Sequence, residues 1–348
     1  MDQIRLSFVG DVLIHQRLAT RARHDNGYSF SAQFNDISKE IAKSDLASAN
    51  LESLTAGNEL GITGYPKFNA PVELLADLRE AGFSVLNIAN NHMLDTGEQG
   101  LTRTIENIID AGLSPIGAAT HKDDPDQGVV ISVNGVRIGL LAYTDASKLD
   151  TSLITTSHVN HFPGEYRPVR MIRRLSKIKR DIVRLRKRSD VVILQLHFGE
   201  EYLRYPSAFQ RELVAGLCEA PVDAIIAHHP HVLQPTSWVE NSRGREVLVM
   251  YSLGNFFTGQ LGIHRQIGGI FSLKISLEAP QARRVSSPDL LLTYVDPQKS
   301  FQVRRLADAV AEYDTFPAHE GDDPLNTAAL YDRVIRHART YIPALKVR

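Results

Sequence analysis

Apolar positions along the chain follow two periods, and each change of period marks a new element. Residues 4–9 (IRLSFV) read as a strand closed by Gly10-Asp11. A helical stretch over 34–44 leads to a short strand over 46–50, and a second helix over 72–81 precedes a strand over 84–88. Residues 97–111 repeat their apolar positions at helical spacing and stop near Gly112. Residues 129–133 and 136–143 predict a hairpin, because Asn134-Gly135 is a strong two-residue turn. In the very basic run 170–187, Met171, Ile172, Leu175, Ile178, Ile182, Val183 and Leu185 recur at helical spacing. That run reads first as an amphipathic helix with a solvated basic face, and second as a site for an acidic partner. Residues 191–196 (VVILQL) are continuous and apolar, as in a buried strand. A helix over 208–217 and strands over 224–227 and 247–252 follow; beyond Gly268 stricter alternation predicts antiparallel strands. The stretch after 301 is mostly helical and polar. The expected organisation is one layered α/β domain over 1–300, with a helical extension over 301–348 packed on it.

Composition narrows the function classes. Hydrophobic residues are 43% of 348, enough for a sizeable core. Lys and Arg number 39 against 40 Asp and Glu, so nothing in the balance suggests a nucleic-acid partner. Cys218 is the sole cysteine and cannot form an internal disulfide; its apolar surroundings (LVAGLCEAP) make it a core residue rather than a nucleophile. The N-terminal residues do not resemble a signal peptide. No run approaches the roughly 18 apolar residues of a membrane span. The expectation is a cytoplasmic protein.

Five short stretches place acids, amides or histidines just beyond an expected strand. They are Gly10-Asp11 with His15, Asn50-Leu51-Glu52, Asn90-Asn91-His92 with Asp95, His197-Phe198-Gly199-Glu200, and His228-His229-Pro230-His231. Ligands of layered α/β folds bind outside the carboxyl ends of strands. Taken singly, most of these residues read as turn, cap or structural residues. The cluster at 228–231 is different. Three imidazoles in four residues suit a core poorly, and Pro230 fixes the backbone between His229 and His231 so that both rings can be held toward one point. Carboxylate oxygen, imidazole nitrogen and amide oxygen together suit one or two divalent cations, with Mn, Zn, Fe, Mg and Ca all open.

The segments FVGDVLIH, ASANLESL, NIANNHMLDTGEQGL, LQLHFGEEY, AHHPHVLQP and YSLGNFF, in this order over residues 8 to 257, resemble the CapA (PgsA, poly-γ-glutamate synthesis) family of the calcineurin-like metallophosphoesterase superfamily. The resemblance implies a metallophosphoesterase-type layered β-sandwich flanked by helices. It implies Asp11, Glu52, Asn91, His197, His229 and His231 as metal ligands. His92, His15 and His231 would be the catalytic groups, and Tyr251 and Asn255, in the YSLGN segment, would buttress or line the cleft as candidate substrate contacts; Arg204 joins those candidates through its planar guanidinium and not through the resemblance. The sequence departs from the superfamily pattern at four places. Asp11 and His15 are four apart rather than two, Glu52 replaces an Asp, Asn90 replaces a Gly, and Met93 replaces an acid. Oxygen and nitrogen donors are kept while their reach changes, so the number of cations stays open.

The implied function is a metal-dependent enzyme acting on a peptide or poly-γ-glutamate-like polyanionic substrate. Three alternatives remain: a peptide epimerase inverting an α-carbon in lasso-peptide maturation, a phosphoester hydrolase, and a non-catalytic polymer-binding protein. His264, in the Gly-rich loop GQLGIHRQIGG, belongs either to a flap over the cleft or to an ordinary surface loop. Arg204 is suited equally to a substrate carboxylate and to a surface salt bridge.

Overall fold

The computed structural model describes residues 3–121, 128–163, 168–277, 285–317 and 326–348. Two mixed β-sheets pack face to face, with helices outside each. Among the described residues the first sheet has nine strands. Its main order is Gln302–Arg305, Val285–Asp296, Ile267–Ser276, Gln3–Leu13, Leu46–Leu51, Val85–Asn87 and Ser114–Ile116. The last four of these run parallel, and each of the first three pairs antiparallel with its neighbours, Ile267–Ser276 joining them to Gln3–Leu13. Among the described residues the second sheet has seven strands, with a parallel centre of Val136–Asp145, Val191–His197, Ala224–His228 and Glu246–Leu253. The antiparallel strand Leu233–Glu240 closes one edge, and the expected hairpin pairs Gly128–Val133 with Val136–Asp145.

Alternation of side chains assigns the layers. Ile4, Leu6 and Phe8 of the first sheet meet Ile138, Leu140, Val191, Ile193, Ala224, Ile226, Leu248 and Met250 of the second in the inter-sheet core. The opposite face of the first sheet packs under helices Ser31–Ile41, Glu73–Glu80 and Gly97–Asp110. Val192, Leu194, Ile225 and Val249 turn outward against helices Pro168–Arg186 and Ala208–Cys218. The side chains of 168–174, at the start of the basic helix, lie outside the described residues. From Leu175 onward, Ile178, Ile182 and Leu185 are buried while Arg180 and Arg184 face outward, as the helical spacing predicts, but Val183, expected in the apolar stripe, is exposed beside Arg184. Ser207 caps the second of these helices reciprocally: its hydroxyl accepts from Gln210 N at 3.3 Å, and its own N–H donates to Gln210 Oε1 at 3.0 Å.

Two expectations change. The strand Leu233–Glu240 has no counterpart in the sequence reading, because Pro235 interrupts it and its outer half is partly exposed; an edge strand tolerates both. The separation expected at residue 300 is absent from the sheet. Gln302–Arg305 is its edge strand, Lys346–Val347 pairs with Val285–Asp296, and Leu306, Leu330, Val334 and Ala338 lie in the inter-sheet core. Residues 318–325 of that stretch lie outside the described residues. No helix among the described residues is long and apolar enough to cross a membrane.

Candidate metal centre

Strand register brings the polar residues into two facing rows. In the first sheet Asp11 pairs with Asn255 on one side and Asn50 on the other, and Asn50 pairs with Asn87. In the second sheet His197 pairs with Thr144 and His228. Both rows stand at carboxyl ends of parallel strands. Asn50 ties them together: its Nδ2 donates to Asp11 Oδ1 at 2.8 Å and lies 3.2 Å from His197 Nδ1, while its Oδ1 accepts from Asn87 Nδ2 at 3.0 Å.

Six expected ligands meet here in two groups that share Glu52. In one, His197 Nε2 lies 2.7 Å from Asn91 Oδ1, 3.1 Å from His229 Nδ1 and 3.3 Å from Glu52 Oε1. In the other, His231 Nδ1 lies 3.0 Å from Asp11 Oδ2, and its Nε2 lies 3.8 Å from Glu52 Oε1. In each of the groups Glu52–His197–His229 and Asp11–Glu52–His231, one donor atom per residue falls within 4.8 Å of the others. The backbone strains to achieve this: His229 and His231 have φ of 98° and 58°, on either side of Pro230.

The electrostatics fit cations. Glu52 is fully buried, and neither carboxylate oxygen has a hydrogen-bond partner. Burial, with Asp11 adding to it, pushes its carboxyl up to about 8. Burial opposes charge on His231, but Glu52 and Asp11 overcome it and push the imidazole up to about 9. Burial likewise opposes charge on Asp11, yet His231, His228 and His197 hold its carboxyl below the usual range. Converging lone pairs and an orphaned buried carboxylate form a donor set that suits one or two hard or borderline divalent ions.

The expected catalytic groups stand around this set. His92 is half-buried, with Nδ1 at 2.8 Å from Asp95 Oδ2; that oxygen also accepts from Phe68 N at 2.7 Å. The His92 ring meets Phe68 edge-on at 4.7 Å. His15 packs on the same Phe68 at 5.2 Å, and its Nδ1 lies 3.3 Å from Gly259 N and 3.2 Å from Leu13 O. Burial holds its imidazole down to about 4, so it is neutral at ordinary pH.

The three expected substrate contacts are placed differently. Asn255 is fully buried. It donates to His231 O at 3.3 Å, Gln260 Oε1 at 3.0 Å and Arg265 O at 2.8 Å, and its Oδ1 lies 3.1 Å from His231 Nδ1. It therefore buttresses His231. Tyr251 turns outward into the apolar layer with Leu217 and Cys218, on the same strand face as Val247 and Val249; this corrects its expected place in the cleft. Arg204 reaches His264 at 3.5 Å and lies near Tyr205 and Arg333, so it leans toward the last helix.

Several residues position the others, and of these Gln195 and Asn87 are absent from the sequence reading, which names Asn50 and Asp95 without this role. Gln195 is buried between the sheets, with Nε2 donating to Ser48 Oγ at 2.9 Å and Oε1 at 3.3 Å from His228 Nε2. Asn50, Asn87 and Asp95 act through other side chains in the same way. Their only sequence signal is a polar residue at the end of an otherwise apolar strand, or three positions after His92.

Comparison with known proteins bears on the family and the fold. The family model described as bacterial capsule synthesis protein PGA_cap matches residues 5–260. The capsule biosynthesis protein CapA of Bacillus anthracis is 32% identical over 267 residues, covering 74% of this chain and 61% of its own length. The PGA biosynthesis protein CapA of Bacillus subtilis (strain 168) is 30% identical over 267 residues, covering 74% of this chain and 64% of its own length. The chain thus spans less than two thirds of the length of these curated relatives. Among solved structures, the calcineurin-like phosphoesterase YfkN from Bacillus subtilis aligns with a TM-score of 0.52 at 15% identity, over 84% of this chain and 90% of that one. A hypothetical protein from Thermus thermophilus aligns with a TM-score of 0.51 at 12% identity, over 83% of this chain and 98% of that one. Likeness at such identity concerns the fold alone.

Proposed function

This chain belongs to the bacterial capsule synthesis protein family, with the fold of calcineurin-like metallophosphoesterases, and from that premise we propose that it is a divalent-cation-dependent enzyme acting on an amide-linked acidic chain, either a peptide or a poly-γ-glutamate-like polymer. The observation that carries this reading is Glu52, a buried carboxylate without a hydrogen-bond partner between two groups of donors. A buried carboxylate needs compensating charge, and cations shared across Glu52 would supply it. Bound there, they would polarise a carbonyl oxygen and lower the pKa of a coordinated water.

The chain's own residues do the rest. Asn50 and Asn255 orient Asp11 and His231. Asp95 holds His92 at Nδ1, leaving Nε2 as the nitrogen for proton transfer to a leaving amine. Two carboxylates only partly offset two divalent cations, so a loaded cleft attracts an anionic chain.

The test uses the full-length protein with added Mn²⁺, elemental analysis and mass spectrometry of poly-γ-glutamate. The expected result is cation uptake and shortening of the polymer, both lost in Glu52→Gln. His92→Ala should retain the metal and lose turnover. Solvent deuterium at the α-carbon without shortening would replace hydrolysis with epimerisation. Turnover confined to a generic phosphoester would make the protein an ordinary phosphoesterase, and binding of the polymer with no reaction would make it a binding module. A protein unable to take up any divalent ion sinks the whole reading.

A further inference from the structure

We propose, resting on that reading, that Arg265 and the Tyr202 hydroxyl form a carboxylate-recognition subsite on the cleft wall beside the Asp11–Glu52–His231 group. Two loops build this wall, one after His197 and one after Asn255. Tyr202 N donates to Pro230 O at 2.8 Å, which ties the first loop to the histidine turn. Tyr202 takes a left-handed φ of 67°, and its ring lies 6.2 Å from that of His231 while remaining 45% exposed. Strain in a bulky residue is expected where side-chain placement matters.

The second loop brings a cation onto this ring. The Arg265 guanidinium lies 5.2 Å from the Tyr202 centroid and also hydrogen-bonds the Tyr202 hydroxyl. Its backbone is anchored to the centre, since Arg265 O accepts from Asn255 Nδ2, and Asn255 also touches His231. Space for the guanidinium depends on Gly262, where φ is +106° and a Cβ would stand 2.8 Å from Arg265 Nη2. Gln260 Nε2 reaches the same Tyr202 hydroxyl at 3.5 Å.

The chemistry selects the ligand. A planar guanidinium beside a phenol hydroxyl presents donors that match a carboxylate. Glu201 already hydrogen-bonds the Tyr202 hydroxyl, so the protein's own carboxylate reaches one half of the subsite. The other basic cluster on the second sheet differs. There Arg186 donates to Pro221 O, Asp190 O and Asp223, and Arg245 donates to Val222 O and Ala220 O. Those guanidiniums clamp backbone, whereas Arg265 lies over an exposed ring next to the centre. On an acidic chain, the group beside the amide held at the cations is a free carboxylate, and it would dock on Arg265.

The experiment measures binding of two probes to the metal-loaded protein: a γ-linked glutamate oligomer with free α-carboxylates, and the same oligomer with α-carboxamides. The wild type should prefer the free acid by about tenfold or more, the scale of a hydrogen bond to a charged group. Arg265→Gln should reduce that preference to about twofold or less at unchanged metal content. Arg265→Lys should recover part of it, and Glu201→Gln should tighten the free acid. If Arg265→Gln keeps the full preference, or if the wild type binds both oligomers equally, the subsite is wrong and the substrate reading stands. If the wild type binds neither oligomer, the substrate reading fails and the subsite fails with it.

Discussion

At position 10 only a glycine fits: a Cβ there would lie 1.8 Å from Gly254 O. The contact it protects sets the position of Asp11, because Asp11 N donates to Gly254 O at 3.0 Å, and the same turn carries Asn255. Strand pairing shifts at this point, and Val9 and Val12 both end up in the outer core layer around Asp11. Gly10→Ala should therefore destabilise the protein by ~2–3 kcal/mol through overpacking, and it should lower cation affinity because Asp11 is displaced. Urea unfolding and calorimetric titration check the two effects; an unchanged midpoint would mean that the strands separate easily here. Cys218 illustrates the opposite kind of residue. It is buried in the outer apolar layer, and burial pushes its thiol up to about 12, so almost no thiolate exists at neutral pH. Native protein should resist a disulfide exchange reagent at pH 8 and react stoichiometrically once unfolded, as read by absorbance.

The turn joining Ala224–His228 to Leu233–Glu240 is the element on which the centre depends most. It contributes His229 to one donor group and His231 to the other, and both residues have positive φ. Pro230 limits the backbone between them. Pro230→Gly should keep both imidazoles but enlarge the unfolded and unliganded ensembles, lowering cation affinity by about tenfold, in the range seen when supporting groups are removed. Calorimetric titration at fixed pH measures it, and an unaltered affinity would show that the flanking strands alone hold the turn. This element was legible in the sequence, because clustered histidines around a proline have few structural uses. Of the amides that serve it, Asn50 stands out at a strand end and Gln195 does not, and the partners of neither are legible. Asn50 and Gln195 work across the gap between two sheets, to His197 and to Ser48, at separations of 147 residues. Such pairings follow from sheet packing, which no local pattern encodes. The strand Leu233–Glu240 was hidden for a local reason, the proline at 235.

At the scale of the molecule, the buried parallel strands were readable from their apolar runs, and they place the cleft at their carboxyl ends. What was not readable is how the chain finishes the sandwich. The strands Gln302–Arg305 and Lys346–Val347 are four and two residues long, too short to show a period. Yet Val303 lies in the outer core, and Leu306, Leu330, Val334, Ala338 and Leu345 lie between the sheets. His337 fixes the last helix to Leu233 O at 3.0 Å, next to the histidine turn. A protein ending at residue 300 would lose these side chains from the core and expose the edge of Val285–Asp296, an open template for pairing with another chain. Such a truncation should accumulate as aggregate, and any soluble fraction should unfold without a cooperative transition. Fractionation and differential scanning calorimetry decide this. A soluble 1–300 fragment that melts cooperatively and still takes up metal would mean that the last 48 residues are an appendage after all, because a sandwich cannot lose an edge strand and part of its inter-sheet core and keep a single melting transition.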